Sequence, residues 1–191
     1  MRTRIRSARR PRGVTLFELL VTMLIIAILA AIAVPSYRYI TTYSRMSAEM
    51  NALLGDLQYA RSEAVREGQA VSVCVAASTT SPRSCAADGT TAWQDGWLVF
   101  SDLSDNGVYD KTVGDAVLRV QPPITSGDTL IQGNGISVIT FNHEGFAYIG
   151  QATAMFTLND SGGDLQLMRC LFISESGMMT TALYAANSTC S

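Results

Sequence analysis

Of the 191 residues only one is histidine, His143, and only one is lysine, Lys111. No acidic residue precedes Glu18, no two cysteines have the C-x2-C spacing, and no glycine-rich phosphate loop, internal repeat or low-complexity linker occurs. Each scarcity removes a class of chemistry. Without C-x2-C the four cysteines do not read as a zinc site, so no metal is expected. Without a glycine-rich loop nothing cradles a nucleotide phosphate, and no cofactor is called for. Beyond Gly68 the whole supply of lysine and arginine is Arg83, Lys111, Arg119 and Arg169, too little for the basic face that neutralises nucleic-acid phosphates.

What is abundant is placed unevenly. Arg2, Arg4, Arg6, Arg9, Arg10 and Arg12 supply six of the 14 basic residues, so from Val14 onward eight basic residues stand against 16 acidic ones, a net charge of −8. Directly behind these arginines lies a run of 21 residues, 14–34, whose apolar character only Thr15, Glu18 and Thr22 interrupt. At about 1.5 Å per residue a helix of that length reaches roughly 30 Å, the thickness of a bilayer's hydrocarbon core. The arginines hold its start in the cytoplasm, which puts everything after Pro35 on the far side. A cleaved secretory signal, ending near Ala31 and Ala33, and a plain signal anchor are the competing readings. Neither gives a role to Glu18, whose carboxylate costs roughly 2.5–3.5 kcal/mol inside a membrane and therefore marks a functional position.

Past Pro35 the pattern turns amphipathic. Ile40, Tyr43, Met46, Met50, Leu53, Leu54, Leu57, Ala60, Ala64 and Val65 recur at spacings of three and four, the stripe of a helix that continues out of the membrane. Pro35 should bend or loosen this helix, Gly55 weakens it by about 1 kcal/mol, and Gly68 ends it. From Gln69 short alternating runs predict strands over 71–75, 97–100, 116–120, 136–141, 146–149, 155–158, 165–173 and 180–185. The expected fold class is α+β: a long N-terminal helix, transmembrane in its first half and amphipathic in its second, packed against an antiparallel β-sheet domain. The amphipathic stripe is core, because a sheet follows that must be covered.

The segment "RGVTLFELLVTMLIIAILAAIAVPSY" resembles the class III leader and N-terminal helix of type IV pilins and type II secretion pseudopilins. "LQYARSEAVREGQAVSVCV" and "WQDGWLVFSDLSDNGVYD" are similar to the pseudopilin subfamily that groups GspH with FimT and FimU. The resemblance spans most of residues 13–120. It implies cleavage after Gly13 by a prepilin peptidase on the cytoplasmic face, methylation of the new N-terminal residue Val14, and pairing of Glu18 with the terminal amine of a neighbouring subunit during assembly. The implied division is a leader at 1–13, a transmembrane and filament-core helix at 14–40, its amphipathic continuation at 41–68 and a β-rich domain at 69–191. The implied partners are other pilins or pseudopilins, the peptidase and the inner-membrane assembly platform. The implied place is the inner membrane in a single pass, with the domain in the periplasm, and then the filament. The expected function is that of a minor pilin or pseudopilin, a structural subunit and not an enzyme, assisting pilus assembly or initiation. The alternative is protein H of a type II secretion system, and a DNA-binding pilin for transformation is a further one. DNA-binding relatives share a basic "GRxR" segment, whereas the corresponding stretch here is "SGMMTT", residues 176–181.

The remaining candidates resolve into turns and bridges. "DLSDNGVYD" sets Asp102, Ser104, Asn106 and Gly107 at calcium-loop positions, but Val113 stands where a bidentate glutamate is required. "NDSGGD" echoes a serine-protease motif, yet His143 in "FNHEGF" has none of the matching context. Both read as solvated hairpin turns. Trp93 and Trp97, four apart around Gly96, anchor a strand start in the core. In an oxidising compartment Cys74, Cys85, Cys170 and Cys190 favour disulfides over free thiols. Three pairings are open, and the local one, Cys74 with Cys85 and Cys170 with Cys190, is expected, each bridge contributing on the order of 3 kcal/mol. Replacing Gly13 by valine should leave a full-length anchored precursor, while intact-mass analysis of the unaltered chain should show loss of residues 1–13. A chain starting near Val34 or Pro35 would support the secretory signal instead.

Overall fold

The computed structural model describes residues 13–80, 83–87 and 89–183. It begins with one 52-residue helix, α1 (Leu16–Glu67), and continues as strands β1 (Val71–Ser78), β2 (Ser84–Cys85), β3 (Trp97–Ser101), β4 (Ala116–Gln121), β5 (Thr129–Gln132), β6 (Val138–Phe141), β7 (Ala147–Tyr148), β8 (Thr153–Asn159), β9 (Arg169–Ser174) and β10 (Met179–Leu183). The chain divides into two compact units after Thr41, and α1 runs through both. It passes Pro35 without interruption and stops at Gly68, whose φ of +70° suits glycine and whose N–H closes the last turn on the Ala64 carbonyl.

In the first unit the side chains of α1 are almost all exposed. This stretch is long and apolar enough to cross a membrane, and none of it is buried. In the second unit α1 buries Met46, Met50, Leu53, Leu57, Ala60 and Ala64. Spacings that alternate between four and three put all six on one face. Where a single sheet was expected, there are two, both antiparallel: β4-β3-β1-β6-β7, with β2 attached to β1, and β10-β9-β8-β5. The α1 stripe meets Val71, Val73 and Val75 of β1, Trp97 and Val99 of β3 and Ile139 of β6 from the first sheet. From the second sheet it meets Leu130, Phe156, Leu158, Leu171 and Ile173, all in one continuous core. Burying each of the larger side chains contributes about 1.5–3 kcal/mol before chain entropy is counted.

β1 is buried along most of its length because it is central and covered on both faces. Its even-numbered residues Cys74 and Ala76 join Leu98 and Phe100 in a smaller cluster on the far face, against which Tyr109 packs. Phe100 and Tyr109 meet edge-on with ring centroids 5.5 Å apart. The second sheet exists because β5 skips the β6–β7 hairpin to pair with β8. No strand was expected at β5, a short segment half polar in sequence. The run expected as one strand over 165–173 is split, because Asp164 accepts the Gln166 N–H at 3.0 Å and turns the chain through a 3-10 segment, Leu165–Leu167, before β9. The two-residue β2 was missed as well, β6 starts two residues later than expected, and β7 is shorter. The strand expected over 180–185 is β10 as far as Leu183, and its last residues lie outside the described ones.

One polar contact joins helix to sheet inside this apolar frame. Asp56 of α1 accepts the Trp97 indole N–H at 2.9 Å and an Arg119 N–H at 3.0 Å. The Arg119 guanidinium lies 3.7 Å from the Tyr59 ring centroid. Asp56→Ala strands the buried indole N–H and should lower stability by about 2–3 kcal/mol, with Asp56→Asn losing less, in urea unfolding followed by tryptophan fluorescence.

Candidate functional site

The backbone at Gly13, Val14 and Thr15 is non-helical, and α1 starts at Leu16. Thr15 is its cap: the Glu18 N–H donates to Thr15 Oγ1 at 3.2 Å, and the Leu19 N–H closes the first helical bond on the Thr15 carbonyl at 3.1 Å. Thr15 and Glu18 have the T-x-x-E spacing of a capping box, a signal present in the sequence and overlooked there. An acidic group in this first turn is also favoured by the partial positive charge of the helix N-terminus. The Glu18 carboxylate has no hydrogen-bond or ion-pair partner among the described residues, and it stands among exposed Leu16, Phe17, Leu19 and Leu20. Such an arrangement holds one anion at the tip of an apolar rod, open to a cation from outside the chain.

An uncovered apolar helix carrying that single carboxylate, continuous with a helix that docks under a β domain, defines the subunit class of pilins and pseudopilins. The prokaryotic N-terminal methylation motif matches residues 8–34. The family described as type II transport protein GspH matches residues 49–177, and the chain belongs to it. The chain is a minor pilin or pseudopilin by that membership and motif. Two crystal forms of the type IV minor pilin FimU of Pseudomonas aeruginosa share the fold. One has a TM-score of 0.52 at 22% identity, covering 73% of this chain and 87% of FimU. The other has 0.50 at 23%, covering 73% and 91%. The minor pseudopilin EpsH from the type 2 secretion system of Vibrio cholerae matches at 0.48 and 12%, covering 72% and 95%. No curated protein matches the chain.

The other sequence candidates fall into structural roles. Asp102 is buried in its loop, where its two oxygens accept the Asn106 and Gly107 N–H groups and the Ser72 hydroxyl. Asp115 accepts the Leu103 and Asp110 N–H groups. These carboxylates fix a turn with their own backbone, and no group able to hold a metal occurs among the described residues. Trp93 and Trp97 are buried as expected, Trp93 donating to the Ile136 carbonyl and meeting Phe156 edge-on at 5.0 Å. Gly96 between them has φ +94°, and a Cβ there would sit 2.5 Å from the Gln121 carbonyl oxygen, so the W-x-x-G-W spacing is imposed by close strand packing.

Cys74 and Cys85 are joined by a disulfide that ties β2 to β1, and Cys170, buried in β9, is also disulfide-bonded. Its expected partner Cys190 lies outside the described residues. His143 is exposed beside Glu144. Arg119 is held by Asp56, and Arg169 lies over the Tyr43 ring at 4.4 Å. The segment 176–181 forms the turn into β10 and that strand's first residues.

Sequence reasoning missed an ionic cluster where α1 first docks. Arg45 donates to both oxygens of Asp128, at 2.9 and 3.0 Å, and to Asp160 at 3.0 Å. Asp128 also accepts the Ser161 N–H, which explains the "NDSGGD" turn as a clamp on the helix. Burial works to raise the Asp128 carboxyl, but the Ser161 N–H and the Arg45 guanidinium outweigh it and hold Asp128 below the usual aspartate range. The stability this supplies is present above the ordinary aspartate value of about 3.9 and is lost as pH falls through the lower native one. Arg45→Gln should therefore move the acid-unfolding midpoint to higher pH, read by circular dichroism during acid titration.

Proposed function

We propose that this chain is a minor pilin of a type IV filament, cut after Gly13, methylated at Val14, and used to initiate or assist pilus assembly. The observation that carries the proposal is the Glu18 carboxylate, without a partner among the described residues, on an exposed apolar helix that bears the methylation motif. A carboxylate entering an apolar filament core is tolerable only when paired. A newly exposed amine at Val14 would add positive charge to a helix end that already carries some, and a neighbouring subunit's Glu18 relieves it. Because Thr15 caps α1, the scissile bond lies in non-helical backbone and cutting it leaves the first helical turn intact.

In this reading the chain waits in the inner membrane with its β domain in the periplasm, meets the prepilin peptidase on the cytoplasmic side, and is drawn by the assembly platform into contact with other pilins. It performs no catalysis. The match to the GspH family favours one second reading, a pseudopilin of a type II secretion system. Deleting the gene in its host separates them: loss of surface pili with normal secretion supports the pilus, and the reverse supports secretion.

Glu18→Val should be cleaved normally and remain in the membrane, since it removes an insertion cost, yet be absent from sheared filaments. Normal incorporation of that variant would sink the assembly role.

A further inference from the structure

The Arg45 cluster contains one more carboxyl group than its donors can satisfy. Glu49, one turn beyond Arg45 on α1, accepts the Ser126 hydroxyl on Oε1 at 2.8 Å. Its Oε2 is buried and receives no hydrogen bond from any donor among the described residues. The same Ser126 hydroxyl accepts the Asp128 N–H at 3.3 Å, which sets Glu49 beside Asp128, whose carboxylate is likewise an acceptor. Two carboxyl groups held side by side away from water disfavour double ionisation, so one of them keeps its proton more readily. Ionised together, Glu49, Asp128 and Asp160 would set three negative charges around the single guanidinium of Arg45.

We propose that Glu49 and Asp128 share one proton as a carboxyl–carboxylate hydrogen bond, and that this pair fastens α1 to the β domain in mild acid and loosens it as pH rises. The donor is Glu49. Asp128 already accepts two N–H bonds from Arg45 and one from Ser161, which favour its ionised form. Glu49 has only a hydroxyl partner and lies in the turn between Met46 and Met50, the first fully buried residues of α1. The charged groups facing the pair are Arg45 from α1 and, through Arg45, Asp160 from the β8–β9 turn.

Burial, reinforced by the neighbouring negative charge of Asp128, pushes the Glu49 carboxyl above the usual glutamate range, against the opposing pull of Ser126. A raised native value means that the stabilisation is complete below the ordinary glutamate value of about 4.3 and is lost as pH climbs through the native one. On release the proton passes to solvent, and the new Glu49 carboxylate faces that of Asp128 across the site. The helix is then repelled where its docked half begins. Because Asp128 itself needs to stay ionised, the attachment is weakest at both pH extremes. This device is independent of whether the filament is a pilus or a secretion pseudopilus.

The test uses the full chain in detergent micelles with 13C-labelled glutamate. The Glu49 carboxyl resonance, assigned through bonds, should titrate above the ordinary glutamate value of about 4.3, and in Asp128→Asn its midpoint should fall. Thermal unfolding should shift down by several degrees for the unaltered chain between about pH 5 and about pH 8, a span above the ordinary glutamate value. Glu49→Gln keeps the geometry without the charge and should lose most of that shift. A Glu49 resonance titrating in the ordinary glutamate range overturns the proposal. So does Glu49→Gln with the same downward shift as the unaltered chain. The resonance measurement needs no substitution and decides even if a variant fails to fold.

Discussion

The β domain depends on the burial of one stripe of α1. Met46, Met50, Leu53, Leu57, Ala60 and Ala64 are the side chains on which both sheets close, and without them two apolar sheet faces would meet water. Apolar burial has little directional preference, so it does not choose a register for the helix. Register is set by the polar contacts along the same face. Arg45 grips Asp128 and Asp160 near the start of the docked half, Asp56 takes Trp97 and Arg119 in the middle, and Arg61 donates to the Gly145 and Ser176 carbonyls near the end. Each contact costs desolvation and contributes modest net stability. Together they allow one seating of the helix.

The same helix serves two kinds of surroundings. Up to Thr41 its apolar side chains are uncovered within the chain, which fits a lipid or helix-packed environment. After Thr42 only one face is apolar, and the sheets cover it. The few polar groups near its start are economical: Thr15 satisfies an exposed backbone donor, while the Glu18 side chain has no partner among the described residues. That division of labour is what an assembling subunit requires, a stable domain on one part of the helix and an unsatisfied surface on the other.

The helix, its stripe and its stop at Gly68 were legible because a period of 3.6 persists over many turns and glycine marks the end. Most strands were legible for the same reason at period two. β5 was not, because Thr129 and Gln132 break its apolar character and its partner β8 lies beyond an intervening hairpin. The two-sheet arrangement was hidden with it. Asp56 and Asp128 were invisible as buried acids, since a lone carboxylate in sequence reads as solvated surface and becomes informative only when folding brings Trp97 or Arg45 to it. Glu18 stood out because it has no right to be in an apolar run, whereas the Thr15 cap was overlooked in the same four residues. Asp102 was expected in a solvated turn and is instead buried, its oxygens taken by the Ser72 hydroxyl and the Asn106 and Gly107 N–H groups, because the strand that brings Ser72 to it lies 30 residues earlier.

The shared core has a consequence for how the chain must be made. Met46 belongs to its first turn and Ile173 to its last sheet, so the helix stripe has no complete cover until nearly the whole polypeptide is available. A chain delivered from its N-terminus presents an anchored helix whose second half is half apolar and unsheltered, beside a lipid surface on which such a helix can lie. Closure waits for β9, a contact of long sequence separation and hence a slow one. A product truncated before β9 would leave exposed the stripe that the finished domain conceals, and incompletely covered apolar surface of that kind is prone to aggregate.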